Sequence, residues 1–263
     1  MGGGKLARHA RLESPTGYYH VMVRGNNREF VFLRREQKAR YMEALAEEVE
    51  EGNIALAAWC LMDNHVHLVV KADLSSLAAA MKSINTSYAM GFNLHEERIG
   101  HVFQDRFRSE VVRDDRHLLA VIRYVHNNPP KAGLVTDAAR YPWSSYGGYL
   151  YSPSLIGSEQ RELVMGYFAE SASDFAAFHD LPDDEEHLDI REDQLRARVA
   201  HGQQIVDDYC RHRGASKAEV SADRQAADEL ILKLLNSTML SHREIAALVG
   251  LARSRVHRAS SPQ

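Results

Sequence analysis

The chain holds only two cysteines in 263 residues, Cys60 and Cys210, and no Cys-x-x-Cys pair. That excludes a disulfide framework and a cysteine-built structural zinc site, and it fits a reducing compartment. Long apolar runs are missing too: the longest, Ile54 to Met62, falls far short of the roughly 20 residues that span a bilayer. The opening Met-Gly-Gly-Gly-Lys lacks the apolar core of a signal peptide and reads as a flexible end. A cytoplasmic protein without a membrane partner is the expectation. There is no Gly-x-x-x-x-Gly-Lys-[Ser/Thr] loop for a nucleotide triphosphate, and no internal repeat. A net charge of −4 argues against indiscriminate coating of nucleic acid.

That total averages over opposed segments. Residues 1–41 hold nine Lys/Arg against three acids, 180–195 hold eight acids against one arginine, and 196–258 hold eleven Lys/Arg against seven acids. Two basic pieces separated by an acidic strip suit an anionic polymer better than the sum suggests. The length exceeds one small α+β unit, so three regions are expected: 1–150, a helical extension with an acidic linker over 151–193, and a helical 194–263.

Tyr18 to Arg24 alternates and stops at Gly25-Asn26-Asn27, a strand and a turn. Arg35 to Glu51 reads as a helix. Ile54–Met62 and His65–Lys71 read as strands joined by the tight turn Asp63-Asn64. A helix from Leu74 to about His95, a strand over Phe107–Val112 and a helix opened by Asp114-Asp115 follow. Strand, helix, strand, strand, helix, strand, helix is the order of a ferredoxin-like α+β fold, an antiparallel sheet with helices on one face. Tyr141-Pro142-Trp143-Ser144-Ser145-Tyr146 closes this unit with aromatics. The stretch 158–178 reads as helical, and the acidic run Asp180 to Asp193 as a solvated linker. Further on, Ser241-His242-Arg243-Glu244 forms a capping box before an apolar stripe that stops at Gly250. With the basic segment Arg253 to Arg258 it has the outline of a helix-turn-helix.

His65-Val66-His67 is the chemically telling motif. On a strand the side-chain period is two, so both imidazoles face one way and can share a divalent cation. On the later helix, Leu118, Val121, Ile122 and Val125 make an apolar stripe. Tyr124 and Asn128 stand one turn apart on its flank. Pro129 disfavours helical geometry at Asn128, so the helix is expected to end there and free the amide. A cation held by His65, His67 and the Asn128 carbonyl oxygen, next to a phenol, equips a site for breaking a phosphodiester through a covalent phosphotyrosine. Mg²⁺ prefers oxygen, so imidazole ligation suits Mn²⁺ at least as well. Tyr88 is the rival tyrosine, without a ligand partner one turn later.

Five ordered motifs carry a resemblance. Gly25-Asn26-Asn27-Arg28, Leu61 to Val69, Gly100 to Phe107, Arg123 to Pro129 and Tyr141 to Tyr146 together resemble the REP-associated tyrosine transposases, in the single-tyrosine HUH superfamily. The resemblance covers about residues 16–150. It implies a nuclease domain acting on single-stranded, often hairpin DNA, with His65, His67 and Asn128 as metal ligands and Tyr124 as nucleophile. Asp63 stands where the family usually has proline, and Gly91 where a second aromatic is common. Arg24, Asn26, Asn27, Arg28, Arg106 and Arg108 are the candidate DNA contacts of this region, and Arg253, Arg255 and Arg258 those of the C-terminal helices. A sequence-specific regulator without transposition activity is the alternative reading, a homodimer is left open, and a replication initiator would need a helicase domain with no motif here.

Overall fold

The computed structural model describes residues 11–151, 155–182, 187–188, 194–238 and 240–260. The expected flexible end Met1–Lys5 lies outside the described residues, as does most of the acidic run.

Four strands, β1 (Tyr18–Arg24), β2 (Ala55–Leu61), β3 (His65–Lys71) and β4 (Arg108–Val111), make one antiparallel sheet in the order β2-β3-β1-β4. Helices α1 (Arg35–Glu50) and α2 (Leu74–His95) pack on one another, and α3 (Asp115–Lys131) packs across β2 and β3. The fold is the expected ferredoxin-like α+β arrangement. β1 and β3, rich in Val and Tyr, are buried along nearly their whole length, as the two central strands of a covered sheet must be. The hairpin between β2 and β3 closes where Met62 N–H donates to the His65 carbonyl (2.9 Å). Asp73 caps α2 by accepting from Ser75 and Ser76 N–H, and Asp114 caps α3 by accepting from His117 N–H.

One expectation about α3 needs correction. The helix does not end at Asn128: it runs through Pro129 and Pro130 to Lys131. Each proline removes one N–H from the helical ladder, but in the final turn little else depends on those bonds. The carbonyls of Asn128, Pro129 and Pro130 are taken up by N–H groups of Ala132, Leu134 and Gly133 at 2.9–3.0 Å, with Gly133 at φ 69° turning the chain away. α3 is buried beyond its apolar stripe, which Arg123, Tyr124, His126 and Asn128 join in the interior. Sheet and later helices cover it from opposite sides.

One of those helices is α6. After α4 (Tyr146–Leu150) and α5 (Ser158–Gly166), α6 (Ala172–His179) packs on α3. The Tyr141–Tyr146 segment lies along β2: Leu61 N–H donates to the Trp143 carbonyl and Ser145 N–H to the Trp59 carbonyl, both at 2.9 Å.

The C-terminal helices α7 (Gln194–Arg213), α8 (Lys217–Ala222), α9 (Arg224–Ser237), α10 (His242–Val249) and α11 (Arg253–Ser260) enclose a second apolar cluster that includes Val206, Leu230, Ile231, Leu234, Ile245 and Val256. The capping box of Ser241 and Glu244 opens α10, and Gly250 at φ 72° ends it. α7 reaches back to the first unit, where His201 Nδ1 lies 3.9 Å from Asp63 Oδ2. Among the described residues, no helix is long and apolar enough to cross a membrane.

Candidate active site

Antiparallel pairing sets His67 opposite Met22 and His65 opposite Arg24, so one face of the sheet carries His20, Met22 and Arg24 from β1 beside His65 and His67 from β3. α3 lies on this face. The His65 and His67 rings are 4.9 Å apart and perpendicular, and Tyr124 sets its ring 5.5 Å from His67 and 5.6 Å from His20. The two strand-borne imidazoles and the phenol, 57 residues apart in sequence between His67 and Tyr124, therefore share one buried space.

Each ring of the pair has a partner on its Nδ1. His65 Nδ1 is 2.7 Å from Asn64 Oδ1, an atom that only accepts, so His65 donates from Nδ1. His67 Nδ1 is 3.0 Å from His20 Nε2, and its own Nε2 is buried with no hydrogen-bond partner among the described residues. Burial, then the neighbouring His65, His20 and His187, hold His67 well below the ordinary imidazole range. A buried imidazole nitrogen such as His67 Nε2 suits a cation. Among the described residues, no three His, Cys, Asp or Glu side chains surround one ion position, so such an ion needs a ligand of another kind. Asn128 is one turn beyond Tyr124. Its amide N–H donates to the Tyr124 carbonyl (3.2 Å), which leaves Oδ1 as the atom a metal would use.

Within the run expected to be solvated, Leu188 is 4% exposed and its carbonyl accepts from the Tyr124 hydroxyl (2.9 Å). His187 stacks on the Tyr124 ring at 4.4 Å. A phosphodiester reaching that hydroxyl has to displace Leu188. Lys131, also missed in the sequence, lays its ammonium 5.0 Å from the Tyr124 ring centre. Its spacing, seven residues or about two turns on, was the available signal.

The rival Tyr88 is a core residue: 1% exposed, it donates to the Val31 carbonyl and packs among Phe32, Tyr41, Phe92 and Phe103. His126, turned away from the histidine pair, contacts His179 and Ser145.

The candidate DNA contacts fall in three places. Arg24 sits at the end of β1 opposite His65, and Asn26, Asn27 and Arg28 form a short turn, with Asn27 and Arg28 exposed at φ 49° and 65°. Arg108, exposed, pairs with Met22 in the same row as His67, and the exposed Arg106 borders a groove of about 760 Å³ between α2 and the 100–107 loop. Arg11, Lys82, Phe103 and Phe107 line that groove as well. Burial, followed by the proximity of Arg106, pulls Arg11 below its ordinary value, so positive charge accumulates here. On α11, Arg253 and Arg258 are exposed. Arg255 is engaged within the fold, 2.8 Å from Asp228 Oδ1.

Comparison with known proteins agrees with the motifs. Residues 14–128 match the family model described as "Transposase IS200 like". A Haemophilus influenzae protein provisionally described as a REP-associated tyrosine transposase is 23% identical over 117 residues, 40% of this chain and 66% of that protein, a little under two thirds of its length. A solved structure of a REP-associated tyrosine transposase bound to a REP hairpin is 18% identical, with a TM-score of 0.47, covering 53% of this chain and 82% of that one. The N-terminal part of the chain resembles the REP-associated tyrosine transposases.

Proposed function

We propose that this chain is a metal-dependent transposase-type endonuclease that cuts and rejoins single-stranded, hairpin-forming DNA through a 5′-phosphotyrosine on Tyr124. The observation that carries the reading is the convergence of the Tyr124 ring on His67 at 5.5 Å, from an element distant in sequence. A divalent ion, Mg²⁺ or Mn²⁺, held by His65, His67 and Asn128, would supply Lewis acidity to the scissile phosphate.

The chain's own residues do the rest. A phenol ionises near pH 10 and needs help at neutral pH. Lys131 sets a cation against the Tyr124 ring, 5.0 Å from its centre, beside the anionic phosphate the site would take. The Tyr124 oxygen forms a bond to phosphorus as the P–O3′ bond breaks. The leaving 3′ oxygen keeps the bonding electrons and takes up a proton, and the phenol's proton is lost to solvent. A second 3′ hydroxyl reverses the step and frees Tyr124, so the bond energy is conserved without a triphosphate. Burial of the site shields the phosphotyrosine from water. Arg24, Asn26, Asn27, Arg28, Arg106 and Arg108, with Arg11 and Lys82 in the groove, form a cationic track for the phosphate backbone, and Phe103 offers a face for a base.

The test is incubation of labelled single-stranded repeat DNA with Mg²⁺ or Mn²⁺, read on a denaturing gel. Wild-type protein should give a protein–DNA adduct. Tyr124→Phe should lose adduct and cleavage but keep binding; a Tyr124→Phe protein that nicks at the normal rate has another nucleophile. The bond from Tyr124 to Leu188 favours a second reading, a DNA-binding regulator without strand transfer. That reading predicts binding and no adduct in the wild type.

A further inference from the structure

We infer that His20 positions His67 as a metal ligand by accepting the proton on His67 Nδ1. The inference rests on the reading of His65 and His67 as a metal site and adds a residue from a third sequence segment.

His20 Nε2 and His67 Nδ1 are 3.0 Å apart, and the rings are 1% and 0% exposed. An N···N contact of this length holds one proton, donated by one ring and accepted by the other. Only two arrangements exist. If His20 Nε2 carries the proton, His67 accepts at Nδ1, bears its own proton on Nε2, and has no lone pair to offer a cation. If His67 Nδ1 carries it, His20 accepts and His67 Nε2 is a ligand. Each arrangement leaves one buried N–H without an acceptor, since both His67 Nε2 and His20 Nδ1 lack partners among the described residues. A cation at Nε2 removes that symmetry, because it occupies the His67 nitrogen and leaves a single proton arrangement.

The neighbouring ring follows the same logic. Asn64 Oδ1 holds His65 with its proton on Nδ1. His20 does for His67 what Asn64 does for His65: a partner behind the ring selects the tautomer and fixes the ring plane. Substitution of such a partner usually costs 10- to 100-fold in metal affinity. Backbone pairing keeps the two rings in register, because His20 and His67 lie on one face of adjacent strands two pairs apart, with Met22 opposite His67 and Val69 opposite His20.

The experiment has two arms. In wild-type protein saturated with diamagnetic Mg²⁺, ¹⁵N-detected histidine spectra, assigned with His67→Gln, should show the His67 proton on Nδ1; a proton on Nε2 overturns the inference. In the second arm, Mn²⁺ binding is measured on the full chain by electron paramagnetic resonance of the free ion. His20→Phe keeps the shape and removes the acceptor, and should weaken binding by 10- to 100-fold. His20→Gln, with an amide oxygen near the position of Nε2, should restore most of it. Undiminished binding in His20→Phe overturns the role of His20 alone. A wild-type protein that binds no Mn²⁺, or a His65→Ala variant that binds it normally, overturns the metal-site reading beneath it.

Discussion

Acidification from pH 7.5 to 4.5 should cost the N-terminal unit about 2.5 kcal/mol through one side chain, His179. A directed chain of hydrogen bonds sets the magnitude. His179 Nδ1 faces the Phe175 carbonyl at 2.8 Å and must donate, so its Nε2 accepts from His126 Nδ1 at 2.9 Å. His126 Nε2 then accepts from the Ser145 hydroxyl (2.8 Å), and Ser145 Oγ accepts from the Trp59 N–H on β2 (2.9 Å). Every nitrogen in this relay has a use only while both rings are neutral. A second proton on His179 would point an N–H at another N–H.

Burial is the main cause that lowers His179 from 6.5 to about 4, and it lowers His126 in the same direction. The sign follows from linkage. The unfolded chain takes up the proton near pH 6.5 and the folded one near pH 4, so the stabilisation is complete above 6.5 and is lost as pH falls toward 4. At pH 4.5 most of the gap between the two values has been traversed, which gives the 2.5 kcal/mol. Trp59 and Trp143, the two tryptophans, both lie beside this relay, so their fluorescence during urea unfolding reports on it. Wild type should exceed His179→Gln by about 1 to 2 kcal/mol at pH 7.5, the value of a buried hydrogen bond, and lose that advantage by pH 4.5. A difference between the two proteins that stays flat over this range refutes the argument.

Three further outcomes follow from the geometry. Leu188→Ala removes about 2 kcal/mol of apolar burial from the segment over Tyr124 and should raise the cleavage rate by up to roughly 30-fold, whereas an unchanged rate means Leu188 does not gate the hydroxyl. Lys38→Met strands the buried Asp63 carboxylate, now 2.6 Å from Lys38 Nζ, and should cost about 3 to 5 kcal/mol in urea unfolding, with partial recovery in the Lys38→Met, Asp63→Asn pair. Arg106→Ala and Arg253→Ala should each lower the slope of DNA affinity against salt by about one phosphate contact without changing stability, while Arg255→Ala should lower the thermal midpoint through its lost bond to Asp228.

The strands, their order and the first three helices were legible because each is a local pattern: alternation in β1, the Asp63-Asn64 turn, the 3.6-residue stripe of α3. The His-x-His pair was legible for the same reason, since two residues on one strand need no tertiary information to share a face. Placing Tyr124 beside the pair needed the fold, and its one-turn spacing to Asn128 was the local clue. The end of α3 was misjudged because the bias of a residue before proline is an average. In a last turn that starts with the buried Asn128 and Pro129, packing outweighs two missing N–H bonds.

His20, Lys38 and Leu188 belong to a different class. His20 and Lys38 have meaning only through a partner many residues away: a histidine inside a strand is unremarkable until the register puts it behind His67. Asp63 illustrates the converse. It stood out as a departure from proline but had no assigned purpose, and its buried contact with Lys38, with His201 of α7 close by, connects the hairpin bearing the histidines to the C-terminal helices. Leu188 was hidden by its own neighbourhood. Eight acids in sixteen residues make a solvated segment the better inference, because charge density is read over a window and burial is decided residue by residue. Here His187 stacks on the Tyr124 ring and Leu188 is buried. The backbone carbonyl that meets the Tyr124 hydroxyl carries no side-chain signature at all, so a contact of this kind is visible only in three dimensions.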